Sequence, residues 1–109
     1  MAPRTDAASR PTLTLAVTTF ERPEALRAVL DSVLAQSDPP QQVIVADDGS
    51  GPSTRAVVAA FAAAAPMPVH HAWQPHEGFR LTRLRNLAIA DALGDYMLFV
   101  DGDMVLHRE

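Results

Sequence analysis

Two aspartates one glycine apart, Asp101 and Asp103, sit in FVDGDMVLH (residues 99–107) between two apolar runs. On an extended backbone residues i and i+2 point to one side, so both carboxylates reach one divalent cation, directly or through water. Gly102 leaves the space between them open. So few hard oxygen donors suit Mg2+ or Mn2+ that also takes phosphate oxygens from a bound molecule. A cation held there would offset negative charge developing on a departing diphosphate. Two further carboxylates, Asp47 and Asp48, close VIVADD, and Thr18, Thr19 and Phe20 close TLTLAVTTF. Any one of these aspartates also fits an Asx-turn or a helix N-cap, and one of Asp47 and Asp48 suits the cap of the segment after it. No such helix follows Asp103, because MVLH reads as strand.

Whether these residues meet depends on the elements that carry them. TLTLAVTTF (12–20) is β-branched and almost continuously apolar, the pattern of a strand buried on both faces. In PEALRAVLDSVLAQ, Pro23 suits a first helical position, and Leu26, Val29, Leu30, Val33 and Leu34 recur at helical spacing as core residues. QQVIVA is a second strand running into the loop DDGSGPS, and TRAVVAAFAAAA is a helix stopped by Pro66. MPVHHAW is a short third strand and QPHEG a loop. RLTRLRNLAIADAL is a helix with Gly94 as its C-terminal cap, and DYMLFVD is a fourth strand. Strands alternating with helices predict an α/β fold: a mostly parallel sheet, helices on both faces, right-handed crossovers. Such sheets bind ligands beyond the carboxyl ends of the strands, where strand order reverses. Thr18–Phe20, Asp47–Asp48 and Asp101–Asp103 all lie at such ends.

Composition narrows the classes. The 109 residues suit one domain with a modest core, and residues 1–11 read as a disordered leader without the apolar segment of a secretory signal. Without cysteine there are no disulfides, thiolate metal sites or cysteine nucleophile. The alanine-rich run AVVAAFAAAAPMPV is too short and too interrupted to span a membrane, so no transmembrane segment is expected. A formal net charge of −4 leaves no basic surplus for a phosphate backbone, and no nucleic acid partner is expected.

VTTFERPEALRAVLDSVLAQ, VIVADDGS and HEGFRLTRLRNLAIADALGDYMLFVDGDM together resemble the N-terminal, nucleotide-sugar-binding half of family-two glycosyltransferases of the GT-A fold. The likeness spans about residues 12–107 and rests on four elements in order: T-x-x-R-P after the first strand, D-D-G-S, R-N-x-A-I and G-D-Y-x-x-F-x-D-x-D. HEGFR, RN and DGDM are most similar to bacterial chondroitin polymerase-like members. The resemblance implies a Rossmann-like GT-A fragment over residues 12–109, with strand order 3-2-1-4 and the donor between strands one and four. It further implies that Thr18 and Phe20 lie beside the base and ribose, and that Asp48 accepts a hydrogen bond from the base, expected to be uracil. Asp47 would steady its loop, and Arg85, of the Arg85-Asn86 pair, would lie near base or diphosphate, with Arg80 and Arg83 less firmly matched. Asp101 would touch ribose and metal, and Asp103 would be the main ligand of Mn2+ or Mg2+. Phe20 stands where many members have tyrosine, which keeps stacking but drops a hydroxyl.

The implied reaction passes a sugar from a nucleoside-diphosphate donor, UDP by expectation, to a glycan-type acceptor. Inverting transfer needs a general base, which the family places after D-x-D, whereas six residues follow Asp103. No catalytic base is therefore assigned; it is expected beyond Glu109. The chain reads as a truncated donor half, inactive alone, of a cytoplasmic protein whose full-length form is open to membrane association. Two rivals stand beside this reading. DGDMV also fits the opening motif of haloacid dehalogenase-like phosphatases, but there it follows the first strand, and DDGS and RN stay unexplained. A non-catalytic nucleotide-sugar-binding remnant is the other. His70 and His71 would face opposite ways on a strand and so not share an ion, and Trp73 reads as core or rim.

Overall fold

The computed structural model describes residues 12–76 and 81–102. In chain order the elements are β1 (Leu13–Thr19), α1 (Pro23–Leu34), β2 (Gln42–Asp47), α2 (Pro52–Ala64), β3 (Val69–Trp73), α3 (Leu81–Asp91) and β4 (Tyr96–Asp101). All neighbours pair in parallel, in the order β3-β2-β1-β4, as an α/β fold with right-handed crossovers predicts. Strand order reverses between β1 and β4. The expected leader lies outside the described residues.

Alternation along the strands builds a core on each face. Leu15, Val17, Val43, Val45 and Val100 face one side and pack with Leu26, Val29, Leu30 and Val33 of α1 and Val58 and Phe61 of α2. Ala16, Ile44, Ala46 and Ala72 face the other and pack with Leu84 and Ala88 of α3. The central strands are covered on both sides, which is why VIVA carries no polar alternation. The edge strands β3 and β4 are more exposed, and on β4 Tyr96 and Leu98 are 64% and 48% accessible. Each fully buried aliphatic side chain contributes about 1.5–3 kcal/mol over leaving it in water.

Two expectations of the sequence fail at α1 and after α3. Leu34, read as core, is 37% exposed, whereas Leu26, Val29, Leu30 and Val33 are at most 1% exposed. At 3.6 residues per turn, eight positions past Leu26 lie about 80° off its direction. Leu34, at the last turn, therefore falls off the edge of the apolar stripe. Gly94, read as a helix cap, lies beyond the end of α3 at Asp91, and Gly49 is the glycine with a positive φ among the described residues. Close approach is what position 94 requires: a Cβ there would stand 2.7 Å from Thr14 N and Oγ1, and the Gly94 N–H donates to that hydroxyl at 2.8 Å.

Buried Gln42 completes this junction. Its Oε1 accepts from Thr14 Oγ1 (2.8 Å) and Leu93 N (2.7 Å), while its Nε2 donates to Asp91 O (2.9 Å). The end of α3 is thereby tied to the sheet by a side chain from β2. This fixes how α3 sits over the sheet face that carries Phe99 and Asp101.

Candidate functional site

At the switch point, Thr18 and Asp101 are register partners across β1 and β4. The Thr18 hydroxyl lies 3.2 Å from Asp101 Oδ1 and 3.4 Å from Val100 O. Asp101 is exposed, and Oδ2 has no protein partner among the described residues. A Cβ on buried Gly102 would meet Thr18 O at 2.5 Å, so only glycine lets the chain leave β4 this close to β1. The backbone turns at Gly102, and extended structure, on which the shared direction of the two aspartates depends, ends at Asp101. Asp103 and MVLH lie outside the described residues. A hard carboxylate oxygen open at the sheet edge fits Mn2+ or Mg2+. Among the described residues no three His, Asp or Glu gather as a ligand set.

The end of β2 separates its two aspartates by role. Asp47 is fully buried; its Oδ1 accepts from Ser50 N at 2.9 Å and its Oδ2 bonds His71 Nε2 at 2.8 Å. Burial pushes the Asp47 carboxyl up, but the bonds from His71 and Ser50 outweigh it and hold the group below its ordinary range. Asp47 is thus a strut of the loop. Neither aspartate caps α2, whose N-cap is Gly51 with no side-chain bond; Pro52 begins the helix instead. Gly49, at φ +93, turns the loop, and a Cβ there would lie 2.5 Å from His76 N. Glu21, at φ 49, and Ser50 clasp this loop to the end of β1: Glu21 N donates to Ser50 Oγ at 2.7 Å and Gly51 N to Glu21 Oε1 at 2.6 Å.

Asp48 points into the edge instead. Its backbone N–H donates to Thr19 O at 3.0 Å; its Oδ1 accepts from Gln74 Nε2 and its Oδ2 bonds His76 Nδ1, both at 2.8 Å. The His76 ring lies on Phe20 at 4.1 Å between centroids and 14° between planes. Phe20, Asp48 and His76, from the ends of three different strands, therefore form one platform. Sequence reading gave QPHEG as a loop and His76 a surface or packing role, and His76 is indeed half-exposed, but neither it nor Gln74 was joined to Asp48; polar residues directly after a third parallel strand were the available signal.

Arg85 lies on the exposed side of α3 with its guanidinium 5.5 Å over the Phe99 ring, on the sheet face that also carries Asp101. Arg83 and Asn86 are exposed, and Arg80, Glu77 and Gly78 lie outside the described residues. His70 and His71 do face opposite ways, bonding Asp91 and Asp47 respectively. Trp73 is a rim residue, its Nε1 donating to Ser50 O at 3.1 Å and its ring under Arg55. The edge thus offers an aromatic platform with a carboxylate beside it, a cation near Phe99, and a second carboxylate at the switch point. That set can hold a planar base, a ribose and a metal-bound diphosphate.

Comparison with known proteins gives this geometry a context. Residues 14–109 match the family described as Glycosyl transferase family 2. The succinoglycan biosynthesis protein ExoM of Rhizobium meliloti (strain 1021) is 33% identical over 92 residues, which are 82% of this chain and 29% of that protein. Mannosyltransferase PcManGT from Pyrobaculum calidifontis, solved with GDP-Man and Mn2+, superposes with TM-score 0.76 at 25% identity, over 88% of this chain and 28% of that one. TarS of S. aureus shares the fold, with TM-score 0.78 at 24% identity over 90% of this chain and 18% of its own. The chain thus spans less than a third of each. Neither the family match nor these relatives support the phosphatase reading of DGDMV.

Proposed function

Because the chain belongs to glycosyl transferase family 2, we propose that its strand ends form the donor half of a glycosyltransferase site, binding a nucleoside-diphosphate sugar. The convergence of Asp48 and Phe20 with Asp101 at one sheet edge carries this reading. Asp48 and Phe20 take the base, Thr18 and Asp101 the ribose, and Arg85 the base or diphosphate. Asp101 and Asp103 hold Mn2+ or Mg2+, which when bound stabilises charge on the leaving diphosphate. Uracil is the base this reading favours. The Mn2+ in the related mannosyltransferase supports a divalent cation, and its GDP-mannose supports a nucleotide-sugar donor of the same class.

The chain is read as one part of a longer protein, with residues 12–109 as its donor-binding portion and both the acceptor site and the general base outside it. The exposed Tyr96 and Leu98, on one face of β4, support a sheet face that further structure covers. ExoM points to polysaccharide biosynthesis, and HEGFR, RN and DGDM keep the likeness to chondroitin polymerase-like members. A cytoplasmic site of action, with membrane association of the longer protein, belongs to the same proposal; no described helix is long and apolar enough to cross a membrane.

Calorimetry with UDP and Mn2+ tests the donor site. Binding should need the cation, and Asp103→Ala should weaken it tenfold or more, about 1.4 kcal/mol. Absence of binding, or binding indifferent to Asp103→Ala, refutes the assignment.

A further inference from the structure

Both oxygens of Asp48 are already engaged, but by partners held very differently. Gln74 is 1% exposed, its backbone N–H donates to Asp47 O at 3.0 Å, and its Nε2 reaches Asp48 Oδ1 at 2.8 Å. Moving it would open buried space beside Asp47. The His76 side chain is 46% exposed; its ring bonds Asp48 Oδ2 at 2.8 Å and stacks on Phe20 at 4.1 Å. Its backbone packs against Gly49, which has no side chain to obstruct it. The ring can therefore swing out by side-chain rotation, leaving Gln74 and the loop in place.

A flat ring stacked on Phe20, presenting a ring nitrogen to Asp48, makes the contacts that a nucleobase would make. We propose that His76 holds the base's place on Asp48 and Phe20, and that the base displacing it is one with a single imino donor, uracil or thymine. This rests on the donor-site reading above and adds to it the displaced residue and the origin of base selectivity. Displacement frees Oδ2 only, because Gln74 keeps Oδ1. The N3–H of uracil or thymine needs one acceptor. Guanine presents two adjacent donors, N1–H and N2–H, which pair best with both oxygens of one carboxylate. Cytosine turns an acceptor N3 toward the carboxylate and is repelled.

Until it is displaced, His76 lowers apparent affinity by the fraction of molecules in which the place is open. If that fraction is about one in ten, removing the ring tightens binding about tenfold. Calorimetry on the full chain with Mn2+ and UDP, dTDP, CDP or GDP, before and after His76→Ala, reads both parts. The expected result is UDP and dTDP bound at least about tenfold more tightly than CDP or GDP, and UDP tightened about three- to tenfold in His76→Ala with the ranking kept. Weakened or unchanged UDP binding in that variant, or GDP binding as tight as UDP, overturns the inference while leaving the donor site standing. No binding of any nucleotide to either form overturns the donor site itself. In the unsubstituted chain, NMR contacts between the Phe20 and His76 rings should vanish at saturating UDP; their persistence also overturns the proposal.

Discussion

Asp47→Ala removes the acceptor of a buried amide and of a histidine at once. The Ser50 N–H, 2.9 Å from Oδ1, would be left in a buried loop without its partner, and His71 Nε2, 2.8 Å from Oδ2, would lose its carboxylate. An orphaned buried donor costs about 1–3 kcal/mol, and the bond to His71 adds about 1 kcal/mol, for a total of about 2–4 kcal/mol. With a urea slope of about 1–3 kcal/mol per M, the unfolding midpoint at pH 7 should drop by roughly 0.7–4 M. Asp47→Asn keeps an oxygen for Ser50 N–H and should lose about half as much. The difference between Asp47→Ala and the parent also depends on pH, because the folded carboxyl titrates below its ordinary value. A depressed acid contributes its stability in full above its unfolded value of about 3.9 and loses it as pH falls through the folded value. The gap should therefore hold from about pH 7 to 5 and narrow as pH falls below about 4. A midpoint within about 0.3 M of the parent at pH 7, or a gap that widens on acidification, would refute the strut assignment.

Other substitutions probe the packing that positions the site. Gly102→Ala puts a Cβ 2.5 Å from Thr18 O. It should destabilise by about 1–3 kcal/mol in urea unfolding and, by parting β4 from β1 at Asp101, weaken cation-dependent UDP binding as well. Gly49→Ala adds a positive φ of 93 to a 2.5 Å encounter with His76 N and should cost at least as much in the same assay. Leu26→Ala should cost about 2–5 kcal/mol. Leu34→Ala, at a position 37% exposed, should stay within about 1 kcal/mol by thermal or urea unfolding.

Much of this fold could be read without coordinates because its signals are local. VIVA is apolar at every position and LTLAV at every position but Thr14, a pattern that a strand of few residues shows when helices cover both its faces. The spacing of Leu26, Val29, Leu30 and Val33 marks a helix wherever it packs. Strands and helices in alternation imply a parallel sheet, and the order 3-2-1-4 is the one that the family resemblance implies. The strand-end residues were visible for the same reason: Thr18, the Asp47-Asp48 pair and Asp101 each follow directly on an apolar run.

The residues that sequence left out or misassigned depend on contacts between distant segments. Gly94 stands at a helix end, where a cap is the expected local cause, but its reason is Thr14, 80 positions away. Gln42 opens a strand like any polar flank, and only the sheet brings its amide to Asp91 and Leu93. Which aspartate of the pair faces the edge also required the fold. Strand alternation turns Asp47 toward the face of Val43 and Val45, where His71 and Ser50 close around it, and leaves Asp48 with Gln74 and His76. Sequence by itself determined the elements and which of their ends carry carboxylates, because periodicity and strand termini are properties of neighbours along the chain. Tertiary structure alone decided the partners of those carboxylates, Ser50 and His71 for buried Asp47 and Gln74 and His76 for Asp48, because hydrogen-bonding partners are chosen in space.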